Sequence, residues 1–464
     1  MMKPLTECSV IRIGVHGRFK GKSIMKESKP FSRREFLKTC GAAAGLVAFP
    51  YVIRPSALGK FGTVAPSNRI AMGVIGCGAM GTGNAQTFLY NFPQVQFVAV
   101  CDVDLRRART LKEEIDRKYG NEDCVVYSDF RRLIARGDLD AVCHAVPDHW
   151  HAPISIACAQ AGLDMYGEKP LARTIQEGRA ICEAVRRYEV IWQTGSWQRS
   201  LANFHRACEL VRNGRIGKVS YVEVGLPDGN PNSPSFRPLP VPNGFDYEMW
   251  LGPAPWRPYQ DFGHGGVHWD WRWIMDYSGG QLTDWAGHHI DIAHWGLGLD
   301  LTGPCEVEGQ GKYYQDGIYD TPYEYEFVCR YENGLQMKVA NASRLPKGMG
   351  TTWYGEHGWI HVDRGDVLEA SNPKILREKI GPNETRLFFS PSGHHGNFID
   401  CIKSRGRTAA PAEVAHRSIT VGLLGEIAML LGRKIKWDPK TETILNDPQA
   451  SRMLGRSMRS PWHL

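Results

Sequence analysis

Between Ile70 and Thr194 the apolar residues fall in short, nearly continuous runs, separated by segments with helical spacing. Ile70–Ile75, Gln96–Asp102, Ala141–Val146, Asp164–Lys169 and Val190–Thr194 read as strands, and Val125–Tyr127 as a shorter one. Helices are expected to about Tyr90 and over Leu105–Tyr119, Asp129–Arg136, Ile154–Ala161 and Arg173–Tyr188. Strands apolar on both faces need cover on both faces, so this strand–helix alternation predicts a doubly wound parallel sheet over residues 69–195. Beyond it the pattern changes to alternation with period two, at Val219–Val224, Tyr323–Tyr331, Leu335–Ala340 and Gly358–Val362. With helices at Phe204–Asn213, Gly396–Lys403 and Val414–Leu431, residues 196–464 read as an α+β domain with an open, mostly antiparallel sheet. A Pro/Gly-rich stretch, Pro227–Gly266, reads as a long surface loop over a cleft.

Composition changes this picture at one end only. The 464 residues are 42% hydrophobic and 23% charged, which suits folded soluble domains. The net charge of +7 misleads, because residues 1–60 carry 12 Lys/Arg against 3 Asp/Glu and the remainder is net −2. Nucleic-acid binding by the folded part is therefore not expected. Twelve cysteines include no C-x-x-C pair, and those after the leader sit mostly in apolar segments, as buried free thiols do.

Ser32-Arg-Arg-Glu-Phe-Leu-Lys38 resembles a twin-arginine export signal at every defined position. The Ala/Gly-rich run that follows, Cys40–Ile53, is too short and too weakly apolar for a permanent membrane span. The resemblance implies engagement of the twin-arginine translocation machinery, folding with cofactor before export, and a periplasmic location. Met25 would begin a leader of normal length, cleavage is expected around Ser56–Phe61, and residues 61–68 form a linker.

Gly76-Cys-Gly78-Ala79-Met80-Gly81 fits G-x-G-x-x-G at the end of the first strand. Gly76 suits the tight turn, Gly78 the approach of a pyrophosphate, and Gly81 close packing of the next helix, whose N-terminus favours phosphate. Asp102 ends the second strand 21 positions after Gly81, where a carboxylate accepts the adenosine ribose hydroxyls. That carboxylate favours NAD over NADP by repelling a 2′-phosphate, and Arg106 and Arg107 soften the preference.

Two further constellations carry chemistry. Glu168-Lys169-Pro170 lies at the end of a predicted parallel strand, where Lys169 would face the nicotinamide and exchange a proton with a substrate hydroxyl. In Gly279–Trp295, Asp284, His288, Asp291 and Trp295 share one helix face, and a carboxylate one turn from an imidazole suits a proton relay near neutral pH. A buried structural His–Asp pair is the alternative. No metal is expected, because His288, His289 and Asp291 lack a third ligating segment and an H-E-x-x-H pattern. Trp197 and Arg199, then Trp271 and Arg272 with neighbouring Trp269 and Trp273, offer faces and hydrogen bonds suited to a pyranose, or simply fill a core.

With the glycine loop, Asp102, Glu168-Lys169-Pro170 and Asp284-x-x-x-His288-x-x-Asp291 in this order, the chain resembles the Gfo/Idh/MocA oxidoreductases. The resemblance implies a Rossmann domain, a tightly bound NAD, and hydride transfer with a sugar, polyol or glycoside carbon. It implies Lys169 as principal acid–base, His288 as proton donor or acceptor, and Asp284 as its partner on substrate hydroxyls. Gly76, Gly78, Ala79, Met80, Gly81, Asp102, Arg106, Pro147, His151, Glu168 and Lys169 would border the cofactor; Trp197, Arg199, Trp271, Arg272 and His289 would border substrate. A homo-oligomer is implied as well. A redox-neutral, NAD-dependent glycoside cleavage on the same fold stays open as the alternative, and a sugar-binding protein without activity is a third reading.

Overall fold

The computed structural model describes residues 64–65 and 68–464; the expected export signal at 1–60, and residues 61–63, 66 and 67 of the linker, lie outside the described residues. Strands β1 (Ile70–Ile75), β2 (Val95–Cys101), β3 (Val125–Tyr127), β4 (Ala141–His144), β5 (Asp164–Gly167) and β6 (Trp192–Thr194) form one parallel sheet ordered β3-β2-β1-β4-β5-β6. The order reverses between β1 and β4, so their carboxyl ends open on a crevice. Asp102, Pro147, Glu168 and Lys169 all fall just past a strand end, which places them at that crevice rather than in the ladders.

Local chemistry sets the helix limits. α1 spans Ala79–Asn91. α2 (Leu105–Tyr119) opens on Asp104, whose carboxylate accepts from the Arg106 N–H, and closes on left-handed Gly120. α3 (Phe130–Ile134) is shorter than the pattern suggested because Asp129 caps it instead of joining it. α4 (His151–Gln160) starts early, out of a tight turn at Asp148–Trp150. α5 (Ile175–Arg187) begins in a reciprocal Thr174–Glu177 capping box.

The second sheet has nine strands: β7 (Val219–Leu226), β8 (Glu306–Lys312), β9 (Glu324–Arg330), β10 (Gln336–Asn341), β11 (Gly350–Gly355), β12 (Gly358–Val362), β13 (Leu368–Ala370), β14 (Ile435–Asp438) and β15 (Thr443–Ile444). Their order is β13-β12-β11-β7-β10-β9-β8-β14-β15, antiparallel except for the parallel pair β7 and β10. In β9 Tyr325, Phe327 and Cys329 turn inward while the residues between them stay half-buried on the other face. The remaining helices of ten residues or more are α6 (Ala202–Arg212), α7 (Gly280–Leu297), α8 (Gly393–Ser404) and α9 (Ala412–Leu431). α9 is long and apolar enough to cross a membrane, but it packs on α7 and β8 as a core helix.

The two halves are tied together. Phe398, Ile399 and Cys401 of α8 pack in the same core as Phe88 of α1 and Tyr166 of β5. Buried Arg173 donates to both carboxylate oxygens of Glu426 on α9, at 2.8 and 3.3 Å.

Candidate active site

The glycine loop lies where β1 meets α1. Gly76 has φ +87°, and a Cβ there would lie 2.4 Å from the Ala145 carbonyl oxygen; a Cβ on Gly81 would lie 1.8 Å from the Gly76 oxygen. A Cβ on Gly78 would meet only Arg107 Nη1, at 3.8 Å, so the space over this backbone is open. α1 begins with neither a side-chain cap nor an acidic residue in its first turn, which leaves its first N–H groups to an anion. Asp102 accepts from Cys77 N–H at 2.6 Å and Asp104 N–H at 2.8 Å. Burial outweighs these bonds and pushes its carboxyl up to about 6. A cradle for phosphate beside a fixed carboxylate fits a dinucleotide.

An open cleft runs from this loop along the strand ends. Gly76, Gly78, Ala79, Met80 and Asp102 line one end; Pro147, Glu168, Lys169, Trp271, Arg272 and Asp284 line the rest. The loop expected over the cleft is a strap fastened to the turn after Asp102. Asp246 N–H donates to Val103 O (2.8 Å), Leu105 N–H donates to Gly244 O (3.0 Å), and His268 Nε2 lies 3.2 Å from Asp104 Oδ2. It brings Met249 and Trp250 into the cleft wall, and His268 and Trp269, just after it in the chain, join them.

At the inner end Lys169 Nζ donates to Asp284 Oδ1 at 2.8 Å, with side-chain exposures of 11% and 15%. Arg272 Nε is 3.9 Å from the same oxygen. Burial opposes charge on Asp284, but Lys169 and then Arg272 hold its carboxyl below the usual range. Glu168 accepts from Asn84 Nδ2 (2.9 Å) and from Lys169 N–H (3.2 Å), tying α1 to the end of β5. His151 is buried, with Nδ1 2.6 Å from Pro170 O and Nε2 2.9 Å from Val146 O, so it joins the two turns that border the cleft without lining it.

His151, expected to border the cofactor, is thus set back from the cleft, and five further expectations need correction. Arg106 points to solvent, 81% exposed and paired with Asp104, while Arg107 lines the cleft. Arg199 is spent on Asp291, at 2.6 and 2.8 Å, and on Asp300 at 2.6 Å, so its guanidinium is not free for substrate. His289 is fully buried and stacked on Trp285 (5.6 Å between ring centres, 12°), and burial pushes it down to about 3. Trp197 stands behind the cleft wall and stacks on Arg364. His288 is 3% exposed and is not bonded to Asp284, which Lys169 has taken; burial, then Lys169 and Arg364, hold it well below its usual value. The Asp284–His288 pair expected from their shared helix face is therefore not formed in this arrangement.

Asn84 and Arg364 carried no functional signal of their own in the sequence, and Arg107 was read only as softening the cofactor preference. The strap residues were recognisable only as a long loop with aromatics.

A dinucleotide cleft ending on a buried lysine–carboxylate pair, at the reversal point of a parallel sheet, defines a nicotinamide-dependent oxidoreductase. Residues 70–196 match the GFO_IDH_MocA model, described as an oxidoreductase family NAD-binding Rossmann fold, and residues 232–464 match GFO_IDH_MocA_C2, described as an oxidoreductase family C-terminal alpha/beta domain. The chain belongs to the Gfo/Idh/MocA oxidoreductase family. It is 26% identical over 374 residues to the myo-inositol 2-dehydrogenase of Thermotoga maritima, covering 79% of this chain and 95% of that one. It is 29% identical over 214 residues to a glycosyl hydrolase family 109 protein of Shewanella baltica strain OS195, covering 41% and 45%. Among solved structures, a levoglucosan dehydrogenase in complex with NADH and levoglucosan superposes with a TM-score of 0.56 at 20% identity, over 79% of this chain and 99% of that one.

Proposed function

We propose that the protein is an exported NAD-dependent oxidoreductase that moves hydride between the nicotinamide and a hydroxyl-bearing carbon of a sugar, polyol or glycoside. The observation that carries this reading is the Lys169–Asp284 pair at the inner end of the dinucleotide cleft. NAD, when bound, supplies the hydride acceptor. The glycine loop would hold its pyrophosphate, Asp102 its adenosine ribose, and Glu168 and Lys169 its nicotinamide end. Lys169 Nζ, once it has released its own proton, is the group placed to take the proton of the substrate hydroxyl, and Asp284 at 2.8 Å stabilises the ammonium so restored. Trp269 and Trp271, each carrying the Arg272 guanidinium on its ring at 4.4 and 4.5 Å, put apolar aromatic surface beside N–H donors at this end of the cleft, a combination that suits a pyranose. The relatives named as inositol and levoglucosan dehydrogenases support a polyol or sugar substrate. Export rests on Ser32–Lys38, and Arg33→Lys with Arg34→Lys should hold the protein in the cytoplasm.

A second reading is redox-neutral glycoside cleavage, in which NAD stays bound through oxidation, elimination and reduction. The strap fastened beside Asp102 favours a retained cofactor, and the glycosyl hydrolase relative supports the chemistry. Protein purified without added nucleotide is denatured to quantify NAD(H), and intact protein is monitored at the reduced-nicotinamide band against sugars and glycosides. A lasting rise with a sugar supports the dehydrogenase. Glycoside cleavage with no lasting change supports the second reading. Neither bound cofactor nor affinity for added NAD overturns both.

A further inference from the structure

Segment Arg456–Trp462 forms no helix or strand, yet it ties together the elements on one side of the cleft. Arg456 donates to Glu177 Oε1 on α5 (2.7 Å), to His149 O in the turn before α4 (2.9 Å) and to Asp276 O (3.1 Å). Arg459 donates from its backbone to Pro253 O (2.9 Å) and from Nε to Gly252 O (3.1 Å), and its guanidinium pairs with Glu248. Glu248 belongs to the strap's short helix Tyr247–Leu251, which Gly252 closes and which carries Met249 and Trp250 of the cleft wall.

Trp462 then packs on Trp150, edge to face at 4.6 Å between ring centres, and on Phe130 at 6.2 Å, with the Arg131 guanidinium over its own ring at 5.3 Å. Trp150 also meets the strap. A Cβ on Gly252 would lie 2.1 Å from the Trp150 ring, and that backbone has φ +48°, so a glycine is what lets it come so close. Trp150 Nε1 donates to Trp250 O at 2.9 Å. The ring is therefore fixed by the strap and by Trp462 together.

Trp150 and Phe130 line the cleft and meet edge-on at 5.5 Å, whereas Trp462 is half-buried behind them. They stand at the Asp102 end. Asp102 N–H donates to Tyr127 O at 3.2 Å, and Phe130 follows three residues later. Beside the carboxylate suited to the adenosine ribose, the cleft thus offers aromatic surface, and the flat ring joined to that ribose is adenine.

We infer that segment Arg456–Trp462 clasps the adenine slot of the cofactor cleft, with Trp462 as a positioning residue that acts through Trp150 and Phe130. The inference rests on NAD occupying this cleft, as in the function proposed above, and not on the identity of the substrate.

Protein loaded with radiolabelled NAD is chased with unlabelled NAD to give the release rate, and with AMP or nicotinamide mononucleotide to give displacement constants for the two halves. In Trp462→Ala NAD should leave about three- to tenfold faster, the effect of losing one aromatic support. AMP should weaken by the same factor relative to the mononucleotide, and Trp462→Phe, which keeps a ring against Trp150, should recover most of both effects. A purely structural role would lower thermal stability and weaken both halves alike. That outcome overturns the inference, as does an unchanged release rate. Should Trp462→Ala not fold, Arg459→Gln, which frees the strap and leaves Trp462 in place, decides by the same ratio of AMP to mononucleotide. Wild-type protein that binds no NAD overturns the inference and the proposed function together; NAD binding with an unchanged ratio in the variants overturns the inference alone. The expected Trp462 effects with no hydride transfer from any sugar contradict the proposed function alone.

Discussion

Lys169 Nζ and Asp284 Oδ1, 115 positions apart in the chain, meet at 2.8 Å where the first sheet faces helix α7. Asp284 orients the lysine, and Lys169 in turn keeps the carboxylate charged although it is buried. Lys169→Met should lower kcat by about 10²–10⁴-fold, the usual value of a positioned acid–base group, with NAD still bound. Asp284→Asn keeps the shape but not the charge and should fall within the same range. Pre-steady-state nicotinamide absorbance, with cofactor occupancy checked separately, measures both; loss of NAD in either variant would place the pair in cofactor binding instead.

Asp102 should make cofactor choice depend on pH. Its carboxyl is pushed up to about 6, above the ordinary carboxylate value, so it carries its charge above that pH and is neutral below it. Repulsion of a 2′-phosphate is therefore present at high pH and lost as pH falls through about 6. The ratio of NADP to NAD dissociation constants should rise between about pH 5 and about pH 8, and Asp102→Asn should flatten it. A ratio that is flat in the wild type contradicts this placement of Asp102.

Arg199 is a structural residue. Its guanidinium and the Asp291 carboxylate are 6% and 3% exposed, so removing one charge strands the other. Arg199→Met should cost about 3–5 kcal/mol of stability by urea denaturation, with little change in substrate KM per folded molecule. Unchanged stability with a raised KM would return Arg199 to the substrate wall.

Two neighbouring glycines should behave in opposite ways. Gly81→Ala puts a Cβ 1.8 Å from the Gly76 oxygen and should destroy the turn, abolishing NAD binding. At Gly83, two residues on in α1, nothing lies within 4 Å of an added Cβ, so Gly83→Ala should stabilise by roughly 0.5–1 kcal/mol and leave NAD affinity intact. Calorimetric NAD titration of both variants separates packing at the loop from general helix effects.

The first sheet was legible because buried parallel strands make continuous apolar runs between helices, and Gly76, Gly78, Gly81, Asp102 and Lys169 sit at fixed offsets from those runs. The second sheet was half legible. β8, Glu-Val-Glu-Gly-Gln-Gly-Lys, buries only Val307 fully, and β11 buries consecutive residues, so neither shows clean alternation. Spacing placed Asp284 and His288 on one helix face correctly, but face sharing does not make a bond: Lys169, distant in sequence, took the carboxylate. Arg199 and His289 looked like binding residues by type, and only burial and ion pairing assign them to the core. Arg364 sits in a loop without motif or period, and its position depends on two tryptophans brought from separate segments.

The most direct test of hydride transfer at this centre uses a sugar deuterated at its hydroxyl-bearing carbons. The NAD-loaded protein is mixed with it, quenched early, and the released cofactor is weighed by mass spectrometry. Deuterium on the nicotinamide ring, absent in Lys169→Met, is the predicted result and holds for net oxidation and for redox-neutral cleavage alike. Product formation with no deuterium on the cofactor would contradict the account.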